Sequence, residues 1–182
     1  MRTFQKTITI LGIAIFIACI LLSFTGSISA FLIFLFIPGP LFSLSISVFK
    51  KASIKKKVFY FILSSLCYLL IVYSLSSYIN SKNYFYLLIL FASMSMTIIF
   101  QLIFDTIYNE PITFQYSFLK PGIIGILSAL LPSLSIYILN RTTEVHTINW
   151  WDTICWVGMF LIFPIWYCIY GNYLVKIKKV SS

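Results

Sequence analysis

Ser93, Thr97, Gln101 and Asp105 recur every fourth residue inside the apolar run "FASMSMTIIFQLIFDTIYN". On a helix turning about 100° per residue, each step of four drifts about 40°, so the four side chains stack along one side and wind about 120° from first to last. The ladder covers about 18 Å of helix. Hydroxyl, amide and carboxylate groups at membrane depth are costly, and they face a bundle interior or a watery cavity rather than lipid. Two readings follow. The ladder glues its helix to a neighbour through hydrogen bonds worth about 0.6 kcal/mol each on average. Alternatively, it lines an inward-opening polar groove, with Asp105 as a cationic or proton-sensitive gate that could meet Lys57, Lys120 or water.

Backbone chemistry supplies a second candidate. Pro38, Gly39 and Pro40 interrupt "FLIFLFIPGPLFSLSIS", and Pro132 and Pro164 interrupt two later apolar runs. Each lies about 10–12 residues from the end of its run, or about 15–18 Å deep, close to a bilayer midplane. Proline removes an amide donor, so hydrogen bonding should lapse within about one turn of Pro38 and Pro40, freeing carbonyls near Leu35 and Phe36. Transporters build midplane sites from helices broken in this way, although neighbouring helices can also satisfy the freed groups. These five residues are candidate midplane helix breaks.

The remaining inventory is thin. His146, the only histidine, lies in "NRTTEVHTINWWD" with Glu144 and Asp152 nearby, without the spacing of a metal site on a helix. Asn140-Arg141-Thr142 matches a glycosylation acceptor only in form. Cys19, Cys67, Cys155 and Cys168 are scattered and show no C-x-x-C pattern, as expected of small buried apolar residues. Nucleophile–base pairs, metal clusters and dense acidic sets are not apparent. No catalytic residue, cofactor or metal is therefore expected, and the chain does not read as an enzyme.

The elements that must carry these residues follow from composition. Hydrophobic residues make up 60% of 182 positions and charged residues 9%, with a mean hydropathy of +1.00. A soluble domain carries about 25% charged residues, and the long solid apolar runs fit helices rather than the alternating strands of a barrel. The expected fold is all-α: a polytopic bundle of six transmembrane helices in the cell membrane. The spans lie at about 7–24, 28–49, 58–79, 84–105, 121–139 and 153–175. The roughly 43 apolar residues from Thr7 to Phe49 would make about 64 Å of helix, enough for two crossings of a core about 30 Å thick. A turn at Pro38-Gly39-Pro40 would leave a second crossing of only about 14 Å. The turn is therefore placed at Thr25-Gly26-Ser27.

With both termini cytoplasmic, eleven of the 13 lysines and arginines fall inside, and only Lys82 and Arg141 fall outside. Trp150 and Trp151 then sit where an outer aromatic belt belongs. The net charge of +9 is concentrated in short connectors. It points to anionic lipid headgroups at Lys50, Lys51, Lys55, Lys56 and Lys57, not to nucleic acid. Arg2, Lys6 and "FIAC" loosely imitate a processed leader, but apolar sequence continues beyond them, and no cleavage is expected. Ala14-x-x-x-Ala18 and Gly122/Gly125/Ala129/Pro132 mark faces for close helix approach, expected to meet other helices of this chain.

In span count and length the chain is similar to the substrate-binding subunits of some vitamin transporters, which dock through an Ala-x-x-x-Ala face. Its first outer loop, about Thr25 to Ser27, is too short to help enclose a vitamin. In composition it resembles small basic membrane proteins that protect bacteria from pore-forming toxins, without a shared motif. The expected function is a non-enzymatic multi-pass membrane protein that contacts another membrane protein or a toxin, as an accessory or immunity protein. The alternative is a small-solute transporter or channel component with a midplane site at broken helices. The topology makes its own prediction: in a background without native cysteines, single cysteines at Ser53 and Ser181 label only from inside and one at Thr147 only from outside. Outside labelling of Ser53 overturns six spans.

Overall fold

The computed structural model describes residues 2–24, 36–76, 84–142, 157–158 and 160–178. The expected turn at 25–27, the start of the second span, Lys82, Cys155, and the loop with His146, Trp150 and Trp151 lie outside these residues. Among the described residues the chain is all-helical, without a strand: α1 (Arg2–Phe24), α2 (Pro38–Phe49), α3 (Ile54–Ser76), α4 (Phe85–Tyr108), α5 (Lys120–Thr142) and α6 (Ile162–Lys178). A π-helical turn, Phe114–Leu119, leads directly into α5. Segments within α1, α3 and α4 and the stretch Phe114–Ile138 are long and apolar enough to cross a membrane, whereas α2 is a shorter apolar helix of 12 residues.

Local chemistry sets several boundaries differently from the sequence expectation. Helix α3 starts at Ile54, so Lys55, Lys56 and Lys57 belong to its first turn and not to a connector. Ser53 caps this end: its carbonyl accepts from the Lys57 amide at 3.1 Å, and its hydroxyl faces the Lys56 amide at 3.5 Å. Helix α4 continues past Asp105 to Tyr108. Asn109 there adopts a left-handed conformation (φ 56°), which lets the Glu110 amide donate back to the Asp105 carbonyl at 2.8 Å. Such a left-handed cap followed by Pro111 stops a helix firmly.

The helices pack as a closed ring. Helix α1 lies on α6 and touches α2, α2 packs on α3, α3 on α4, α4 most extensively on α5, and α5 on α6. Aromatic rings fill the interior. The Phe42 ring lies 4.5 Å from Trp166, 4.9 Å from Tyr167, 5.4 Å from Tyr170 and 6.4 Å from Phe100, centroid to centroid. All five side chains are buried, and tilted or offset pairs at such distances add to what burial alone contributes.

The prolines behave in two ways. Pro38 and Pro40 fall in the first turn of α2, after a bend at Ile37, which itself keeps helical dihedrals (φ −88°, ψ −40°). Pro164 falls in the first turn of α6, after a turn at Leu161 whose amide donates to the Gly158 carbonyl at 3.3 Å. First-turn amides have no intrahelical acceptor, so losing them there costs little. Pro132 differs from the expectation, because α5 runs through it without a break. Hydroxyls clamp α5 to α4 on either side: Ser93 donates to the Gly125 carbonyl at 2.8 Å and Ser133 to the Tyr86 carbonyl at 2.5 Å. One missing amide does not open a helix held at both flanks.

The two small-residue faces also separate. Gly122, Gly125, Ala129 and Pro132 are buried, and a Cβ on Gly125 would lie 2.7 Å from the Met94 Cα. Ala14, in contrast, is exposed with Ile10, Ile13, Ile17 and Leu21. Helix α1 turns Gly12 to the ring instead, where a Cβ would lie 3.1 Å from the Pro164 Cα. The Ala14 side of the stripe therefore does not meet another described helix of this chain.

The Gly125 contact is against main chain, which cannot rotate aside. Gly125→Ala is expected to lower stability by about 1–3 kcal/mol, the usual cost of overpacking, read as an earlier thermal unfolding midpoint in detergent. Ala14→Gly, on the exposed face, should shift it less.

Candidate functional site: a buried polar seam

All four ladder residues are buried, Thr97, Gln101 and Asp105 completely. The helical spacing of four brings them to one side of α4, and that side faces α5, α6 and the π-helical turn. Ser93 donates to the Gly125 carbonyl on α5. Thr97 donates to the Ser93 carbonyl at 2.8 Å and accepts from the Trp166 indole N–H of α6, also at 2.8 Å. The Gln101 amide donates to Asp105 Oδ1 at 2.8 Å, and its carbonyl oxygen accepts from the Tyr170 hydroxyl at 3.3 Å. Asp105 Oδ2 accepts from Ser117 at 2.6 Å, and Ser117 Oγ in turn accepts from the Thr113 amide at 3.2 Å.

A carboxylate withdrawn from water needs donors to offset its desolvation. Asp105 Oδ1 accepts from the neutral Gln101 amide and Oδ2 from the neutral Ser117 hydroxyl. Lys57 and Lys120, the cations expected near it, are engaged elsewhere: Lys57 Nζ lies 3.5 Å from the Val48 carbonyl and Lys120 Nζ 4.1 Å above the Tyr116 ring. Lys50 is 14% exposed and paired with Glu110 at 3.0 Å, its ammonium 5.4 Å from the Phe104 ring centre and 5.7 Å from that of Tyr108. Beside this pair the Tyr60 ring is fully buried, 5.5 Å from Tyr108, and its hydroxyl has no hydrogen-bond partner among the described residues. Lys51 and Lys55 are exposed, and Lys56 and Lys57 are half-buried.

One side chain of α6 reaches the proline site of α2. The Tyr167 hydroxyl of α6 donates to the Pro38 carbonyl of α2, and Gly39 lies so close to the Tyr68 ring of α3 that a Cβ would collide with it. Ser64 of α3 donates to Ser43 of α2 at 2.7 Å, one turn further along. Pro132 belongs to the α4–α5 contact instead. On the outer surface, an apolar groove of about 350 Å³ runs between α3 and α4, lined by Leu70, Ile71, Phe91 and Ala92 among others. Among the described residues no cluster of three or more His, Cys, Asp or Glu side chains could hold a metal.

The partners of the ladder escaped the sequence reading. Trp166, Tyr170 and Tyr173 recur at helical spacing on α6, and each carries a polar tip that needs an acceptor when buried. That stripe was the available signal. Nothing local distinguishes Ser117 from the other serines.

The fold and seam together define an all-helical protein with four segments long and apolar enough to cross a membrane, welded internally by hydrogen bonds. No protein family matches the chain, and no curated protein or solved structure matches it.

The seam can be tested by removing one acceptor. Thr97→Val leaves the Trp166 N–H buried without a partner and is expected to cost about 1–2 kcal/mol. Thr97→Ser, which keeps the hydroxyl, should retain most of the wild-type unfolding midpoint in detergent.

Proposed function

We propose that this chain is a six-span protein of the cell membrane with both termini inside, acting without catalysis through contact with another membrane protein or a toxin, in an accessory or immunity role. One observation carries the reading. The interior polar groups, Ser93 to Asp105, are occupied by one another and by Trp166, Tyr170 and Ser117, in a ring filled by aromatic side chains. Recognition then falls to outward faces. That of α1, with Ile10, Ile13, Ala14, Ile17 and Leu21 exposed, offers a small residue among larger ones, as helix–helix contacts in membranes use. Lys51, Lys55, Lys56 and Lys57 contact anionic headgroups in this reading, while Lys50 holds Glu110.

The alternative, a small-solute transporter or channel component, draws support from the interruptions at Ile37 and Leu161, with the Tyr167 hydroxyl of α6 donating to the Pro38 carbonyl beside the first of them. Unwound backbone at the midplane is where such proteins bind solutes.

Photo-crosslinking residues placed in turn at Ile13, Ile17, Leu66 and Leu70 in native membranes separate the two. Partner contact predicts one discrete higher-mass adduct from one face, surviving Gln101→Leu combined with Asp105→Asn at normal protein levels. Transport predicts no such adduct, and loss of function in the double variant.

A further inference from the structure

The segment between α4 and α5 buries a serine and leaves its large apolar side chains exposed. Two of its polar groups point into the protein, while Thr113 and Gln115 stay exposed: Ser117 is fully buried against Asp105, and the Tyr116 carbonyl accepts from the Tyr173 hydroxyl of α6. Its apolar groups point away. Ile112 is 54% exposed, Phe114 74%, Phe118 36% and Leu119 48%, with the Phe114 and Phe118 rings stacked at 6.1 Å. Four ties hold the segment in place, through Ser117, Tyr116, Lys120 over the Tyr116 ring, and Glu110 to Lys50. The exposed rings are thus held outward by a braced backbone.

Charge identifies what covers them. The Glu110–Lys50 pair ties this segment to the α2–α3 connector, where Lys51 is exposed, and so to the adjoining first turn of α3, where Lys55 is exposed beside Ile54, itself 78% exposed. Exposed rings on one segment and exposed ammonium groups on the segment tied to it suit the boundary between acyl chains and headgroups, where aromatic rings settle and ammonium groups reach anionic phosphates. We infer that residues 111–119, with Lys51 and Lys55, form an interfacial anchor that seats Phe114 and Phe118 in a leaflet of anionic phospholipid, and that the Asp105–Ser117 bond positions this anchor. The inference rests on the membrane placement proposed above, but on no partner or solute.

The test uses the full chain in lipid nanodiscs, with Cys19, Cys67, Cys155 and Cys168 replaced and a nitroxide attached to Phe114→Cys or, separately, to Ser53→Cys. Oxygen, which concentrates in lipid, and a neutral nickel chelate, which stays in water, report depth. The label at 114 should favour oxygen and the label at 53 the chelate. Replacing part of the phosphatidylcholine with phosphatidylglycerol should deepen 114, and Lys51→Gln with Lys55→Gln should abolish that gain. Because Phe114 is exposed, its replacement should not disturb folding, and Phe118→Cys provides an independent reading. Equal chelate access at 114 and 53 in both lipids overturns the anchor and assigns this face to a soluble partner. A lipid-like 114 that ignores phosphatidylglycerol overturns the anionic preference.

Discussion

A carboxylate buried in a protein interior needs hydrogen-bond donors, and most of this architecture can be traced from how Asp105 meets that demand. Gln101, one helical turn earlier, supplies the first donor, and this choice obliges the amide's own oxygen to find Tyr170 on α6. Ser117 supplies the second, which draws the connector after α4 back against the helix it has just left. A regular α-turn is not what delivers Ser117: the backbone there winds as a π-helical turn, a form often kept where a side chain must be aimed. One polar group thereby links α4, α6 and the entry to α5.

The rest of the seam follows the same rule with weaker groups. Trp166 buries a large ring and one N–H, and Thr97 answers that N–H while its own proton goes to the Ser93 carbonyl. Ser93 then reaches the Gly125 carbonyl, which is possible because no Cβ separates the two backbones. Dispersion among Phe42, Phe100, Trp166, Tyr167 and Tyr170 fills the space between, while the hydrogen bonds specify which helix lies against which. In an apolar solvent this division matters, since burying apolar surface against lipid-like surroundings discriminates little between neighbours.

With polar groups turned inward, the surface carries the features that remain to be matched by something else. Helix α1 is held by Gly12, Phe4 and Ile8 on one side and leaves Ile10, Ala14 and Leu21 on the other. The α4–α5 connector repeats the pattern at smaller scale, with Ser117 in and Phe114 out. Both are consistent with a molecule whose environment is largely apolar and whose recognition, in the proposed reading, occurs on its flanks.

Sequence alone determined what periodicity and composition can determine. A spacing of four placed Ser93, Thr97, Gln101 and Asp105 on one side of one helix, and depth in an apolar run required that side to be buried, because polar groups cannot face lipid cheaply. The same composition excluded strands and called for helices. Tertiary structure decided the partners: Ser117 lies 12 residues beyond Asp105 across a connector and Tyr170 lies 69 beyond Gln101, and hydroxyls and rings of the same kinds occur throughout the chain. It also decided the different outcomes of similar prolines. Pro132 sits in a helix clamped at both flanks, whereas Pro38 and Pro164 stand in first turns where no acceptor awaits their missing amides. Likewise, Ala14 and Gly125 carry equal promise of close approach in one dimension, but only Gly125 has a backbone opposite it. Local pattern fixes which side of a helix must be hidden, because helical period and solvent are local facts. Only packing decides what hides it, because a hydrogen-bond partner is chosen by position in space.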